Sequence, residues 1–144
     1  MKIIIQEPPQ NEEESIIFNV RCISDNISRA INLIKSPDCL TVYINEEAFM
    51  LSVTDIFYVE SVDLKTFVYA QKAVYRSKLK LYEIEEALST GDFIRISKQV
   101  IVNVKKIKSV SPAGDSRFQA VLVNGERVII SRQYVPVLKK RLHL

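Results

Sequence analysis

Three polar side chains, Ser97, Lys98 and Gln99, interrupt the apolar stretch FIRISKQVIVNVKKIKSV, which runs from Phe93 to Val110. A polar step between two buried strands must lie at the protein surface. A lysine can bind a phosphate as a point charge, and a glutamine amide can bond one base edge, a pairing typical of adenine. The residue types in this step therefore favour nucleic-acid binding over catalysis.

Two neighbours of this step have the polarity to act with it. Arg95 alternates with Ile94 and Ile96, so it is either a strand arginine on a solvated face or a clamp for a phosphate. Asn103 follows the run VIV, and its side chain suits a turn because asparagine bonds nearby backbone. We expect Asn103 to have a structural role.

The chemistry that most enzymes need is missing from the sequence. The patterns GxGxxG, GxxxxGK[ST], HExxH and GxSxG do not occur. The carboxylates at 12–14 form a solvated run, Cys22 and Cys39 lack metal-ligand spacing, and His143 is the penultimate residue. We therefore expect no enzyme, no cofactor, no metal site and no small-molecule substrate.

The charge of the 144-residue chain is polarised along its length. Residues 1–60 carry four Lys and Arg against ten Asp and Glu, a net −6, whereas residues 61–144 carry sixteen against seven, a net +9. A basic part suggests a face for phosphate or for an acidic partner, although a solvated surface gives the same pattern. The first apolar run is too short for a secretory signal, and none spans a bilayer, so we expect a cytoplasmic protein.

The apolar spacing predicts a mostly β protein with a short extension ahead of it. The extension, residues 1–45, reads as strands at 2–6 and 15–21 and then a helix from Ser24 or Asp25 to Ser36-Pro37. In the rest, Asn124-Gly125 is the best two-residue hairpin turn. Further strands are predicted at 40–44, 48–53, 55–62, 66–70, 74–76, 93–96, 107–110, 118–123 and 127–130, with helices at 77–88 and 132–142.

Three pieces in a fixed order make the chain resemble the LytTR family of bacterial DNA-binding domains. They are DIFYVESVDLKTFVYA with the helix LKLYEIEEAL, then FIRISKQVIVNVKKIKSV, then a hairpin that ends in ISRQYV. The resemblance implies an elongated antiparallel β-sandwich of small sheets with one or two short helices and no helix-turn-helix. It assigns residues 46–144 to the DNA-binding domain.

The resemblance also implies that three loops along one edge enter successive major grooves of double-stranded DNA. Carried over by position, the first loop is Asp63–Thr66, with Lys65 pointing outward. The second loop is 97–99 and the third is 131–133, where Arg132 is the choice for a guanine contact. The DNA-binding residues implied are Lys65, Thr66, Arg95, Ser97, Lys98, Gln99, Ser131, Arg132 and Gln133.

Two departures from the family pattern affect these expectations. The family commonly has His, a basic residue and Ser where this chain has Ser97, Lys98 and Gln99, so a different sequence preference is expected. Pro136 lies inside the last predicted helix, where it removes an amide donor unless the helix begins later, near Tyr134.

The resemblance further implies that two copies bind direct repeats, as a homodimer on DNA. About 45 residues precede the match, far fewer than a receiver domain needs, so control by a fused phospho-receiver is not expected. Short family members resemble regulators held by a small membrane protein, which makes an inhibitory membrane-protein partner a hypothesis. The alternative function is a protein-interaction or sensor module whose basic face docks an acidic partner.

Overall fold

The computed structural model describes residues 1–35, 38–89 and 91–144. Residues 1–24 form neither strand nor helix, so the strands predicted at 2–6 and 15–21 are wrong. Their apolar side chains lie in solvent, with Ile5 93 % and Ile17 77 % exposed. A strand needs a neighbour to satisfy its backbone groups, and these two runs have none.

The helix predicted in this extension is confirmed as α1, Asp25–Lys35. The Ser24 hydroxyl accepts a hydrogen bond of 3.4 Å from the Ile27 amide, as an N-terminal cap does. The predicted end at Ser36-Pro37 lies outside the described residues.

A larger sheet contains seven strands, and all of its neighbouring pairs are antiparallel. The strands are β1, Cys39–Ile44; β2, Glu47–Ser52; β3, Ile56–Val62; β4, Lys65–Ala70; β5, Val74–Ser77; β6, Phe93–Arg95; and β7, Val100–Asn103. Their order across the sheet is β2-β1-β5-β4-β3-β7-β6. Six of them match predicted runs, and β7 is the VIVN run that follows the polar step.

A smaller antiparallel sheet has the order β10-β9-β8, with β8 at Ile107–Pro112, β9 at Phe118–Leu122 and β10 at Arg127–Ile130. The hairpin predicted at Asn124-Gly125 is present, but its loop is longer than two residues. The Leu122 amide donates to the Glu126 carbonyl at 2.8 Å, which leaves residues 123–125 as a three-residue loop. Gly125 has φ of 88°, the left-handed conformation that closes such loops.

Two short helices cover the sheets. Helix α2 is Leu81–Ala87, shorter than the predicted 77–88 because β5 continues to Ser77. Helix α3 is Val135–Leu142 and follows a 3-10 turn at Arg132–Tyr134, so it begins where Pro136 is tolerated in the first turn.

The two faces of the larger sheet bury two separate cores. On one face, α2 packs Leu81, Ile84 and Leu88 against the strands. On the other face, the smaller sheet and α3 cover β3, β6 and β7, with buried side chains at Phe57, Ile96, Val102, Ala120, Leu122, Ile130, Val135 and Leu138. This arrangement confirms the predicted mostly β sandwich of small antiparallel sheets.

Candidate nucleic-acid interface

The first two loops predicted to bind DNA lie side by side at one end of the strands of the larger sheet. Strands β3 and β7 are antiparallel, with Glu60 opposite Val100, so the end of β3 lies beside the start of β7. The β3–β4 turn and the β6–β7 loop therefore protrude from the same edge. The Ser61 amide donates a hydrogen bond of 2.8 Å to the Gln99 carbonyl and ties the two loops together.

A second backbone bond attaches the third loop to this edge. The Ser131 amide, at the end of β10, donates to the Ile96 carbonyl at 2.8 Å. The smaller sheet thereby places Arg132 and Gln133 beside the β6–β7 loop. We call residues 63–66, 97–99 and 131–133 the loop edge.

Five of the predicted site residues point into solvent from the loop edge: Lys65, Lys98, Gln99, Arg132 and Gln133. Ser97 and Ser131 are half-buried, and the Ser97 hydroxyl accepts a bond of 3.3 Å from the Gln99 amide. Thr66 is only 4 % exposed, so its side chain lies behind Lys65 in the sheet. These five side chains are three cations and two amides, a set able to bond phosphates and base edges.

Arg95 braces the middle loop from behind. Its Nε donates to the Ser97 carbonyl at 2.8 Å, its Nη2 donates to the Lys98 carbonyl, and its Nη1 pairs with the Glu85 carboxylate of α2. All three nitrogens are engaged, and the side chain is 21 % exposed. The structure therefore gives Arg95 a positioning contact that sequence reasoning did not anticipate, between the loop and α2.

Asn103 has the structural role that was expected of it. It is 3 % exposed, its Nδ2 donates to the Ile56 carbonyl at 2.8 Å, and its Oδ1 accepts from the Lys105 amide at 3.0 Å. The side chain thus joins β7 to β3 and caps the 3-10 turn that follows. It lies at the opposite end of β7 from the loop edge.

Tyr58 and Tyr69 form a stacked pair on the sheet, with ring centroids 4.2 Å apart. Burial raises the pKa of both phenols, and the neighbouring Glu126 carboxylate raises the pKa of Tyr58 further. The Tyr69 hydroxyl donates to Glu60 at 3.0 Å. Both rings are half-buried and pack against each other and the sheet.

Sequence reasoning missed part of the charge at this edge. Arg76, Lys78 and Lys80 follow one another at alternate positions where β5 leads into α2. They line a shallow groove of about 560 Å³ together with Lys65 and Thr66. The signal was present in the sequence as RSKLK, but only the sheet order places that segment beside Lys65.

A family model described as the LytTr DNA-binding domain matches residues 46–143. This chain belongs to the LytTR family. The match covers both sheets from β2 onward, α2, α3 and all three loops of the loop edge. Membership makes the matched region a DNA-binding domain of the kind that serves transcription regulation.

A solved LytTR structure shares the fold. It is the LytTr DNA-binding domain of a putative methyl-accepting/DNA response regulator from Bacillus cereus, 31 % identical to this chain, with a TM-score of 0.71. The likeness covers 75 % of this chain and 99 % of that one.

Two curated relatives differ in how much of their length this LytTR chain spans. The sensory transduction protein LytT of Bacillus subtilis is 30 % identical over 109 residues, which are 73 % of this chain and 44 % of LytT. An uncharacterized HTH-type transcriptional regulator of Staphylococcus aureus is 29 % identical over 138 residues, 93 % of each chain. No helix among the described residues is long and apolar enough to cross a membrane.

Proposed function

We propose that this LytTR chain is a sequence-specific transcriptional regulator that reads direct repeats in double-stranded DNA, one copy per repeat. The observation that carries the proposal is the continuity of the loop edge. Two backbone bonds of 2.8 Å, from Ser61 to Gln99 and from Ser131 to Ile96, hold three polar loops side by side. Loops fixed in this way are suited to enter the major groove together, because their backbones need little further ordering.

The exposed side chains divide the work of recognition by their chemistry. Arg132 is the proposed guanine contact, since a guanidinium makes two parallel bonds to O6 and N7. Gln99 offers a donor and an acceptor to an adenine edge. Lys65 and Lys98 are proposed to bind phosphates, which fix position and carry no sequence information.

Selection of random duplex DNA by the purified protein, at low and at moderate salt, tests this function. We expect enrichment of a pair of direct repeats and a steep salt dependence. About five phosphates per copy give a slope of log affinity against log salt near about −4.5. Uniform recovery at low salt that vanishes at moderate salt would favour the other class of function, a basic face that docks an acidic protein.

Variants of the loop edge separate base reading from phosphate binding. Arg132→Ala should cost about 1 to 3 kcal/mol and relax the preference at one base position, whereas Lys98→Ala should weaken binding to all sequences alike. The matched controls are Arg127→Ala and Lys72→Ala, because both residues are exposed and lie at strand ends away from the loop edge, Arg127 at the start of β10 and Lys72 in the β4–β5 turn. Equal effects at test and control positions would count against the loop edge.

We propose that a protein partner controls this regulator through residues 1–35. Residues 1–24 expose several isoleucines, and α1 has helically spaced apolar residues, of which Ile34 is 54 % exposed. Large apolar side chains exposed in this number are typical of segments that a partner covers. An inhibitory membrane protein is the proposed partner.

Recovery from a membrane fraction tests this control. The whole chain should retain a membrane protein, and a variant lacking residues 1–24 should not. If the two chains retain the same proteins, residues 1–24 are not the docking segment. If neither chain retains a membrane protein, the proposed partner is wrong.

A further inference from the structure

The groove beside the first loop is lined by four cations that form no ion pair with any described residue. Lys65, Arg76, Lys78 and Lys80 contribute to its walls, with Thr66 and Ser77 at its base. The three ion pairs among the described residues use Arg95, Arg117 and Arg141, and none uses these four. A groove with this lining attracts an anion.

Aromatic rings hold two of these cations in place. The Lys78 ammonium lies 4.3 Å from the centroid of the Tyr43 ring, and the Arg76 guanidinium carbon lies 5.2 Å from that of Phe67. A ring face attracts a cation and leaves its outward N–H groups free for a ligand. The two charges are therefore partly ordered before any anion arrives.

The position of the groove indicates which anion it takes. Strand β5 is three strands from β7 in the sheet order, so Lys78 lies roughly 14 Å along the edge from the β6–β7 loop. Lys65, at the start of β4, lines the side of the groove nearer to that loop, because β4 lies between β5 and β3. The cations thus continue the row that the loop edge begins, on the side away from Arg132.

We propose that this groove binds the DNA backbone outside the bases read by the three loops, through Arg76 and Lys78. This inference rests on the proposed function and adds a fourth contact to it. The ligand is a phosphodiester of the flanking duplex. Because phosphates carry no sequence information, the groove adds affinity and footprint and does not alter base preference.

The test uses one duplex selected by the wild-type protein, either trimmed to the selected site or extended by flanking base pairs. For Arg76→Gln and Lys78→Gln, we expect weaker binding to the extended duplex, with a salt slope shallower by about 0.9 for each phosphate that the variant no longer binds. Binding to the trimmed duplex should be unchanged. Arg127→Gln and Lys72→Gln are the matched controls.

Equal weakening on the trimmed and extended duplexes would overturn the flanking contact, as would unchanged binding to both. Competition by inorganic phosphate that is as strong as competition by DNA would instead make the groove a site for free anions. A wild-type protein that selects no DNA would refute the proposed function itself.

A second inference comes from the backbone of the first loop. Asp63 and Leu64 form the two-residue turn between β3 and β4, and both have positive φ, 49° and 63°. This turn suits the twist of a hairpin but favours Asn and Gly. Leucine is disfavoured in the left-handed region because its Cβ crowds the backbone.

The leucine gains no packing in return for this conformation. Its side chain is 103 % exposed at the tip of the turn, so it contributes nothing to either core. Strained residues of this kind cluster at binding sites, where the strain positions a side chain for a ligand. The tip belongs to the loop edge, beside Lys65.

The geometry points to Leu64 as a reader of thymine, through apolar contact with the C5-methyl group in the major groove. This inference also rests on the proposed function. A thymine methyl is the apolar group that a base pair offers in that groove, and an exposed leucine matches it.

Replacing each thymine of the selected duplex by uracil removes one methyl at a time. We expect the wild-type protein to lose about fourfold in affinity at one position, the effect of one buried methyl group. Leu64→Gly and Leu64→Asn, which fit the turn, should bind the thymine duplex and each uracil-substituted duplex equally. A flat uracil scan, or an unchanged scan in Leu64→Gly, would overturn this role while leaving DNA selection intact.

Discussion

Replacing Arg95 tests whether it supports the middle loop or binds a phosphate. Arg95→Met keeps the length of the side chain and removes its bonds to the Ser97 and Lys98 carbonyls and to Glu85. Each carbonyl bond contributes about 1 kcal/mol, and the pair with the 45 % exposed Glu85 adds about 0.5 kcal/mol. The expected loss in free energy of unfolding is therefore about 2 to 3 kcal/mol.

Arg95→Lys separates the two roles. A lysine keeps the charge, but its single ammonium cannot reach two carbonyls and a carboxylate in the fork geometry that arginine provides. If Arg95 supports the loop, Arg95→Lys should lose almost as much stability and DNA affinity as Arg95→Met. If Arg95 binds a phosphate, Arg95→Lys should bind DNA nearly as well as the wild type, because a point charge is enough for a phosphate.

Urea unfolding and DNA binding of both variants, with Glu85→Gln as the partner change, provide the assay. Glu85→Gln should cost only about 0.5 kcal/mol, and its effect should vanish in the Arg95→Met background. The reasoning is refuted if Arg95→Lys unfolds and binds like the wild type while Arg95→Met loses binding at unchanged stability.

Three further predictions concern stability. Asn103→Ala should lower the free energy of unfolding in urea by about 3 kcal/mol, since it leaves the buried Ile56 carbonyl and Lys105 amide without their partner; a loss below about 1 kcal/mol would contradict this. The raised pKa of Tyr58 keeps its proton in the folded state at a pH where the unfolded chain loses it, so stability should fall as pH rises above the ordinary value of 10.0. Tyr58→Phe should make that fall shallower, and part of it should persist because burial also raises the pKa of Tyr69; an unchanged pH dependence in Tyr58→Phe would contradict this. Deleting residues 1–24, which are exposed and make no strand, should change the urea midpoint by less than the equivalent of about 0.5 kcal/mol; a larger change would mean that this segment packs on the domain.

Alternating and helically spaced apolar residues were enough to predict most strands and helices after residue 24. They failed for residues 2–6 and 15–21, because local β propensity cannot supply a neighbouring strand. The end of β5 at Ser77, inside a stretch predicted as helix, is also set by a partner, Thr66 of β4.

The exposed residues of the loop edge were predicted, but the contacts and burial of several neighbouring residues were not. Arg95 has the same pattern in the sequence whether it faces solvent or turns back onto its own loop. The choice depends on Glu85, ten residues away, and on the path of the loop backbone. The resemblance implied Thr66 as a DNA contact, but Thr66 is buried, because a position carried over from a family motif does not show which side chains the sheet covers.

The sequence by itself determined most element types after residue 24 and the excess of positive charge after residue 60, because these depend on local spacing and composition. The motifs that resemble the LytTR family also indicated the family. Only the tertiary structure decided which charges act together. Sheet order places β5 beside β4 and β7 beside β3, so segments from 63 to 133 meet along one edge. That order arises from pairing between distant strands and from burial of two faces, which local patterns do not encode.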